Sequence, residues 1–244
     1  MTWSILAHDP DTGAFGVAVT TCAFAVGASC PFVRAGVGAV STQAMTNRYL
    51  GPAVLDGLAR GLGPKAAIEG ALCGDDGKHL RQVHALDRYG HHAIWTGGGS
   101  FDWAGGVSGA NAGVTGNTLA GPDVVGHTLA RYLAGPHEPM ADRLIGALQA
   151  GQRAGGDTRG KQSAALKIVS FEDFPDVDLR VDDHPEPLDE LARLLAIYRR
   201  DRLPGLRNAP SRANPSGVFD LDILDGDRVA HGLAPRPRRE SSLR

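Results

Sequence analysis

The chain has 244 residues, 42% of them hydrophobic, and a formal net charge of −2. That size allows one large core, or a core domain with a tail, while near-neutrality excludes a dominant nucleic-acid footprint or an acidic solvating tail. Three cysteines, Cys22, Cys30 and Cys73, have no metal-ligand spacing and predict reduced thiols in a cytoplasmic protein.

In chain order, the residues Thr2 to His8 alternate and are rich in strand formers, and Asp9-Pro10-Asp11-Thr12-Gly13 supplies turn chemistry. Ala14 to Thr21 returns, which predicts a β-hairpin. No basic segment followed by an apolar one opens the chain, so no signal peptide is expected. Gly36 to Gln43 reads as a strand buried on both faces. The period then changes, and Leu50 to Arg60 and Pro64 to Leu72 read as helices broken by Gly61 and Gly63. Arg81 to Asp87 and His91 to Thr96 flank Arg88-Tyr89-Gly90 as a second hairpin. Residues 97–120 are glycine-rich and read as short strands joined by turns. Val124 to Leu133 and Pro139 to Leu148 follow as helices, then Gln162 to Phe171 and Val177 to Val181 as strands. Pro185 to Arg200 is an amphipathic helix, with Asp189 and Glu190 early and Arg199 and Arg200 late. Strands at both ends with helical pairs between them predict an α+β layered domain over 1–200. Residues 201–244, rich in Pro and Arg, are expected to form a poorly ordered tail or a small appendage. No apolar run reaches about 18 residues, so no membrane helix is expected.

Thr2 is the first candidate for chemistry. If the initiator Met1 is removed, Thr2 carries both a hydroxyl and an α-amine, a nucleophile with its own base, since such an amine titrates near pH 7.7–8.0. Gln43, with Ser41 and Thr42, offers donors to an oxyanion. Arg81-Gln82 and Gly116-Asn117 are candidates to line a polar pocket. The segment Gly155 to Ser163 is the densest polar cluster, with Asp157, Arg159, Gln162 and Ser163 at the entrance to a strand. Thr96 to Ser100 lacks a nucleotide-loop pattern, and His91-His92 point to opposite faces of a strand. No metal site and no cofactor is expected. Cys22 and Cys73 read as core residues.

Several long segments carry a resemblance. "TWSILAHDPDTGAFGVAV", "FAVGASCPFVRAGVGAVSTQAMTNRYLGP", "AGQRAGGDTRGKQSAAL" and "VDLRVDDHPEPLDELARLL", with "RQV", "DWAG" and "GNTLAGPDVV" between them, resemble the family called domain of unknown function 1028 over roughly residues 2–198. That family looks like the N-terminal nucleophile (Ntn) hydrolases. The resemblance implies a four-layer α-β-β-α sandwich with Thr2 as nucleophile at the start of the first strand. It also places Arg34 at the position where proteasome-type relatives carry a basic residue, and the 41–43 strand end near the oxyanion. Arginine departs from the lysine of that group; it stays protonated and can stabilise charge but not act as a base. The implied activity is hydrolysis of an amide or peptide bond in a small, anionic substrate, with Asp157 orienting the Thr2 amine and Arg159 meeting the anionic group. The alternative is a non-catalytic ligand-binding protein on the same fold. No nucleic-acid or membrane partner is expected, and a homo-oligomer, in the simplest case a dimer, is.

Overall fold

A computed structural model describes residues 2–99 and 103–237. Met1, Ser100, the Asp102 of "DWAG" and the basic end from Arg238 lie outside the described residues. The chain divides into two compact units, Met1–Ala192 and Arg193–Arg244.

The first unit is built on two antiparallel sheets. The strands β1 (Thr2–His8) and β2 (Phe15–Thr21) form the expected hairpin, and every residue of both is buried. β3 (Pro31–Arg34) and β4 (Gly38–Ala44) follow, then β5 (Arg81–Asp87) and β6 (His92–Thr96). The glycine-rich stretch resolves into one hairpin, β7 (Trp103–Gly109) and β8 (Ala112–Leu119). β9 (Ser163–Val169) and β10 (Val177–Val181) complete the set. The larger sheet runs β10-β9-β2-β1-β8-β7, with β1 inside it, and the smaller runs β3-β4-β5-β6.

Helices cover the outer faces. Helix α1 (Leu50–Ala59) and α2 (Pro64–Leu72) pack on the smaller sheet, and α3 (Pro122–Ala134) and α4 (Met140–Arg153) on the larger. Pro64 and Pro122 stand at helix starts, where a missing N–H costs nothing and the fixed φ suits the first turn. Leu50, Val54, Leu55 and Leu58 meet Val40, Val83 and Ala85 in one apolar cluster, while Leu6, Phe15 and Val17 meet Ala39 and Leu86 between the sheets. The order is helix, sheet, sheet, helix, an α+β sandwich.

Helix α5 (Pro187–Ile197) continues into a π turn at Tyr198–Arg202, and the boundary between the units falls inside it rather than after residue 200. The second unit carries α6 (Leu203–Leu206) and α7 (Leu221–Ala230), so its described part is helical rather than a plain tail. Asp220 caps α7 by accepting from the backbone of Asp222 and Ile223. One core expectation is corrected: Cys73, at the C-terminal end of α2, is exposed, and Cys22 is only half-buried. Cys30 is the buried thiol, and burial pushes it up to about 11.

Candidate active site

Strand alternation sorts β1 into two faces. Trp3 faces the helices and lies against Gly151 of α4. Thr2, Ser4 and Leu6 face the opposing sheet. The register aligns Ser163 of β9, Thr21 of β2, Thr2 of β1 and Asn117 of β8 in one row across the larger sheet. Opposite them, Gln43, Gln82 and Thr96 form a row across the smaller sheet, with Ser41 and His84 in the next. A polar layer therefore fills this end of the space between the sheets, and all but Thr96 of these residues are buried.

Buried polar groups must be paired, and these are. The Gln43 side-chain amide donates to Gln82 Oε1 at 2.7 Å, to the carbonyls of Thr2 and Thr115 at 3.3 Å each, and to Thr115 Oγ1 at 3.3 Å. Ser4 donates to Gln43 Oε1 at 2.8 Å and lies 2.8 Å from His84 Nε2. Asn117 Nδ2 donates to Gln82 Oε1 at 3.0 Å and to the Thr2 carbonyl at 3.4 Å. Gln82 Nε2 in turn reaches Thr96 Oγ1 at 2.9 Å and the Gly116 carbonyl at 2.8 Å. Gln43 and Asn117 thus converge on the backbone of Thr2, and Gln82 ties the two together. The Thr2 hydroxyl donates to Thr21 Oγ1 at 3.2 Å, and the residue is 7% exposed.

Asp157 ties together the ends of the two strands that flank Thr2. Its Oδ2 accepts from the backbone N–H of Cys22 at 2.9 Å, just past the end of β2, and the residue forms a bridge with Leu119 at the end of β8. β2 and β8 are the two neighbours of β1, so this carboxylate lies between their ends, at the Thr2 end of β1. Asp157 Oδ1 accepts from the Arg159 backbone at 2.8 Å, and the half-exposed Arg159 guanidinium lies 3.3 Å from Oδ2.

Three predicted residues, Arg34, Arg81 and Gln162, sit elsewhere, and Ser163, in the Thr2 row, is spent on structure. Arg34 pairs with Gly38, at the far end of β4, roughly 16 Å from Gln43 at the usual strand rise. There it holds Asp56 at 2.9 Å, half-exposed, and is not brought to Thr2. Arg81 alternates out of the polar layer and is spent on Asp75, at 3.0 Å, and on the Met45 carbonyl. This guanidinium, helped by Asn47, holds the Asp75 carboxyl down at about 2. Ser163 is fully buried and braces the 22–26 turn, donating to Ala23 O at 2.6 Å and accepting from Val26 N–H at 3.1 Å. The Gln162 side chain donates to Asp183. Nor does Gln43 present its amide to a substrate, because its hydrogens are spent inside the layer.

Sequence reasoning missed Ser4, Thr21, His84, His92 and Thr115. Their signal was present as i, i+2 spacing: Ser4 follows Thr2, and His84 follows Gln82, on the same face. Burial holds His84 neutral, well below the usual histidine range, with His92 beside it adding to the effect, and lowers His92 to about 4. Among the described residues, no group of three or more His, Cys, Asp or Glu side chains is placed to hold a metal ion.

The model of a family described as "Family of unknown function (DUF1028)" matches residues 2–191. A crystal structure of a protein from Silicibacter pomeroyi, described with that same family, is similar at 31% identity and a TM-score of 0.83. It covers 90% of this chain and 99% of its own. Anbu, an ancestral β-subunit from Yersinia bercovieri, aligns over 82% of this chain and 97% of its own at 10% identity, with a TM-score of only 0.36. No match is found among curated proteins.

Proposed function

Because this chain belongs to the DUF1028 family, whose description assigns no activity, we propose from its own geometry that it is an N-terminal nucleophile hydrolase on an Ntn-type sandwich, cleaving an amide bond of a small substrate through Thr2. The observation that carries this reading is the position of Asp157. Cleavage of the Met1–Thr2 bond would create an ammonium at the head of β1, and a buried carboxylate already lies at that end, between the ends of the flanking strands. An anion there orients and retains the amine.

The chemistry follows from that pair. The neutral amine takes the Thr2 hydroxyl proton as Oγ1 attacks the substrate carbonyl carbon. The tetrahedral intermediate collapses, the C–N bond breaks, and the leaving amine departs with that proton, leaving an ester on Thr2. Water then adds to the ester with the α-amine again as base, and the acid leaves as the Thr2 hydroxyl reforms. Gln43 and Asn117, tied together by Gln82, hold the Thr2 backbone rather than the oxyanion. The half-exposed Arg159, beside Asp157, supports an anionic substrate group.

Intact-mass measurement of mature protein, followed by labelling with a hydroxyl-directed electrophile, tests this. The expected result is loss of Met1 and a single label on Thr2. Thr2→Ala should abolish labelling, and Asp157→Asn should slow it by roughly a hundredfold. Retained Met1, or equal labelling of Thr2→Ala, overturns the reading. A second reading, a non-catalytic ligand-binding protein, is favoured by the low exposure of Thr2; it requires saturable ligand binding that survives Thr2→Ala without turnover.

A further inference from the structure

The Gln43 amide has only one orientation that satisfies its surroundings. One end of it faces the carbonyl oxygens of Thr2 and Thr115, which carry no hydrogen, so that end must be the NH2. Its Oε1 therefore faces Ser4, whose single hydroxyl hydrogen is spent on it at 2.8 Å, while the Ser41 hydroxyl stands off at 3.5 Å, too long to replace it. His84 Nε2, 2.8 Å from the same hydroxyl, must then donate. A neutral imidazole that donates from Nε2 accepts at Nδ1. His92 Nε2 lies 3.1 Å from His84 Nδ1 and must be its donor, which leaves His92 Nδ1 as acceptor for the exposed Ser108 hydroxyl at 2.8 Å. Two backbone carbonyls thus settle every hydrogen along Ser108, His92, His84, Ser4 and Gln43, and the donors all run one way, from the surface to Thr2.

The geometry of this chain is built rather than incidental. The His92 ring lies where a Cβ on Gly113 would sit, with ring atoms 2.1–2.3 Å from that position, so only glycine admits it. The two rings stand edge to face at 85° with centroids 5.3 Å apart, the arrangement that aims one ring nitrogen at the other. Ser4 and His84 are fully buried, so water offers no alternative partner.

We infer that His84 and His92 are positioning residues for the Thr2 end of β1: through Ser4 they brace the Oε1 end of the Gln43 amide, whose other end holds the Thr2 carbonyl. The functional meaning rests on Thr2 being the nucleophile, whereas the arrangement itself does not. Replacing Ser4 by alanine removes the close donor to Gln43 Oε1 and leaves only the Ser41 hydroxyl, at 3.5 Å, to serve a buried carbonyl at the centre of the layer. The amide is then held from its donor end alone, by the acceptors of Thr2, Thr115 and Gln82, and its close brace on the other side is gone.

Histidine-selective nitrogen NMR on the full chain at neutral pH tests the assignment, with the carbonyl carbon resonance of Thr2 as second readout. Both His84 and His92 are expected as Nε2–H tautomers, and Ser4→Ala should shift the Thr2 carbonyl resonance toward that of a weaker acceptor. Ser4→Thr, which restores a hydroxyl, should return it. An Nδ1–H tautomer at either histidine, or an unmoved Thr2 carbonyl in folded Ser4→Ala, overturns the inference. Should Ser4→Ala fail to fold, Ser108→Ala at the exposed end serves: the His92 Nδ1 resonance should move to that of a free acceptor, and no movement overturns the chain. Electrophile labelling separates the two readings. Wild-type protein that does not label but shows both tautomers and the carbonyl shift defeats the nucleophile alone; labelling that is equal in wild type and Ser4→Ala defeats the positioning alone, an approximately tenfold loss being expected.

Discussion

His92 makes the stability of the fold depend on pH in a defined window. Its folded value lies near 4, against about 6.5 for a free imidazole. Between those values the unfolded chain binds a proton that the folded chain refuses, so stability falls as pH drops from about 6.5 toward 4 and is unaffected above. The direction follows from burial, which penalises the cation, and His84 acts in the same sense. The full shift is worth no more than about 3 kcal/mol. Urea midpoints measured at pH 4.5 and pH 7.5 should differ in wild type, and the difference should shrink in His92→Gln. An equal difference in that variant would place the pH dependence elsewhere. Asp75 titrates in a separate, lower window because Arg81 holds it down at about 2, so the two contributions do not overlap.

At the level of elements, two helical glycines make opposite predictions. A Cβ on Gly51 in α1 would stand 2.3–2.6 Å from the Phe32 ring, whereas one on Gly70 in α2 meets nothing within 4 Å. Alanine gains about 1 kcal/mol over glycine in a helix interior, while overpacking costs about 1–3 kcal/mol. Gly51→Ala should therefore lower the melting temperature and Gly70→Ala should raise it, as thermal denaturation will show. The same close packing explains what could be read from the sequence and what could not. β1, β2, β5 and α2 carry side chains at every informative position, and their bounds follow from alternation or helical period. β7 and β8 hide because Gly106, Gly113 and Gly116 are required where Val114, His92, Trp3 and Leu119 press close, and a glycine displays no period. The short β3 escaped because four residues opening on a proline show no alternation. For the site, alternation revealed that Gln43 and Gln82 lie on polar faces, but such a face normally meets water. Only the stacking of two sheets makes this one dry and turns candidate substrate contacts into an internal brace. Arg34 and Arg81 misled for the complementary reason: charge is visible in a sequence, while the local acid that neutralises it is not.

Across the whole molecule, the buried apolar residues of the first unit run on through Val181 into Leu188 and Leu191 of α5. A chain ending at Arg202, which keeps α5 and its π turn intact, should therefore retain the two-sheet unit. Calorimetry should show its transition within about 4 °C of the corresponding one in the full chain, since a change of 1 kcal/mol moves a unit of this size by about 2–4 °C. Loss of the transition would mean that the second unit is needed for the first to fold. Among the described residues no helix is long and apolar enough to cross a membrane.

The carboxylate that plugs the head of β1 also acts as an end stop. Sliding β1 by one residue would turn Trp3 and Ile5 into the polar layer, and sliding it by two would drive Thr2 into the place held by Asp157. The strand is thus measured from its first residue, as a ruler is read from a fixed edge, and its register does not depend on the hairpin turn alone. A longer N-terminal extension would compete with Asp157 for that place, so an affinity tag belongs at the other terminus.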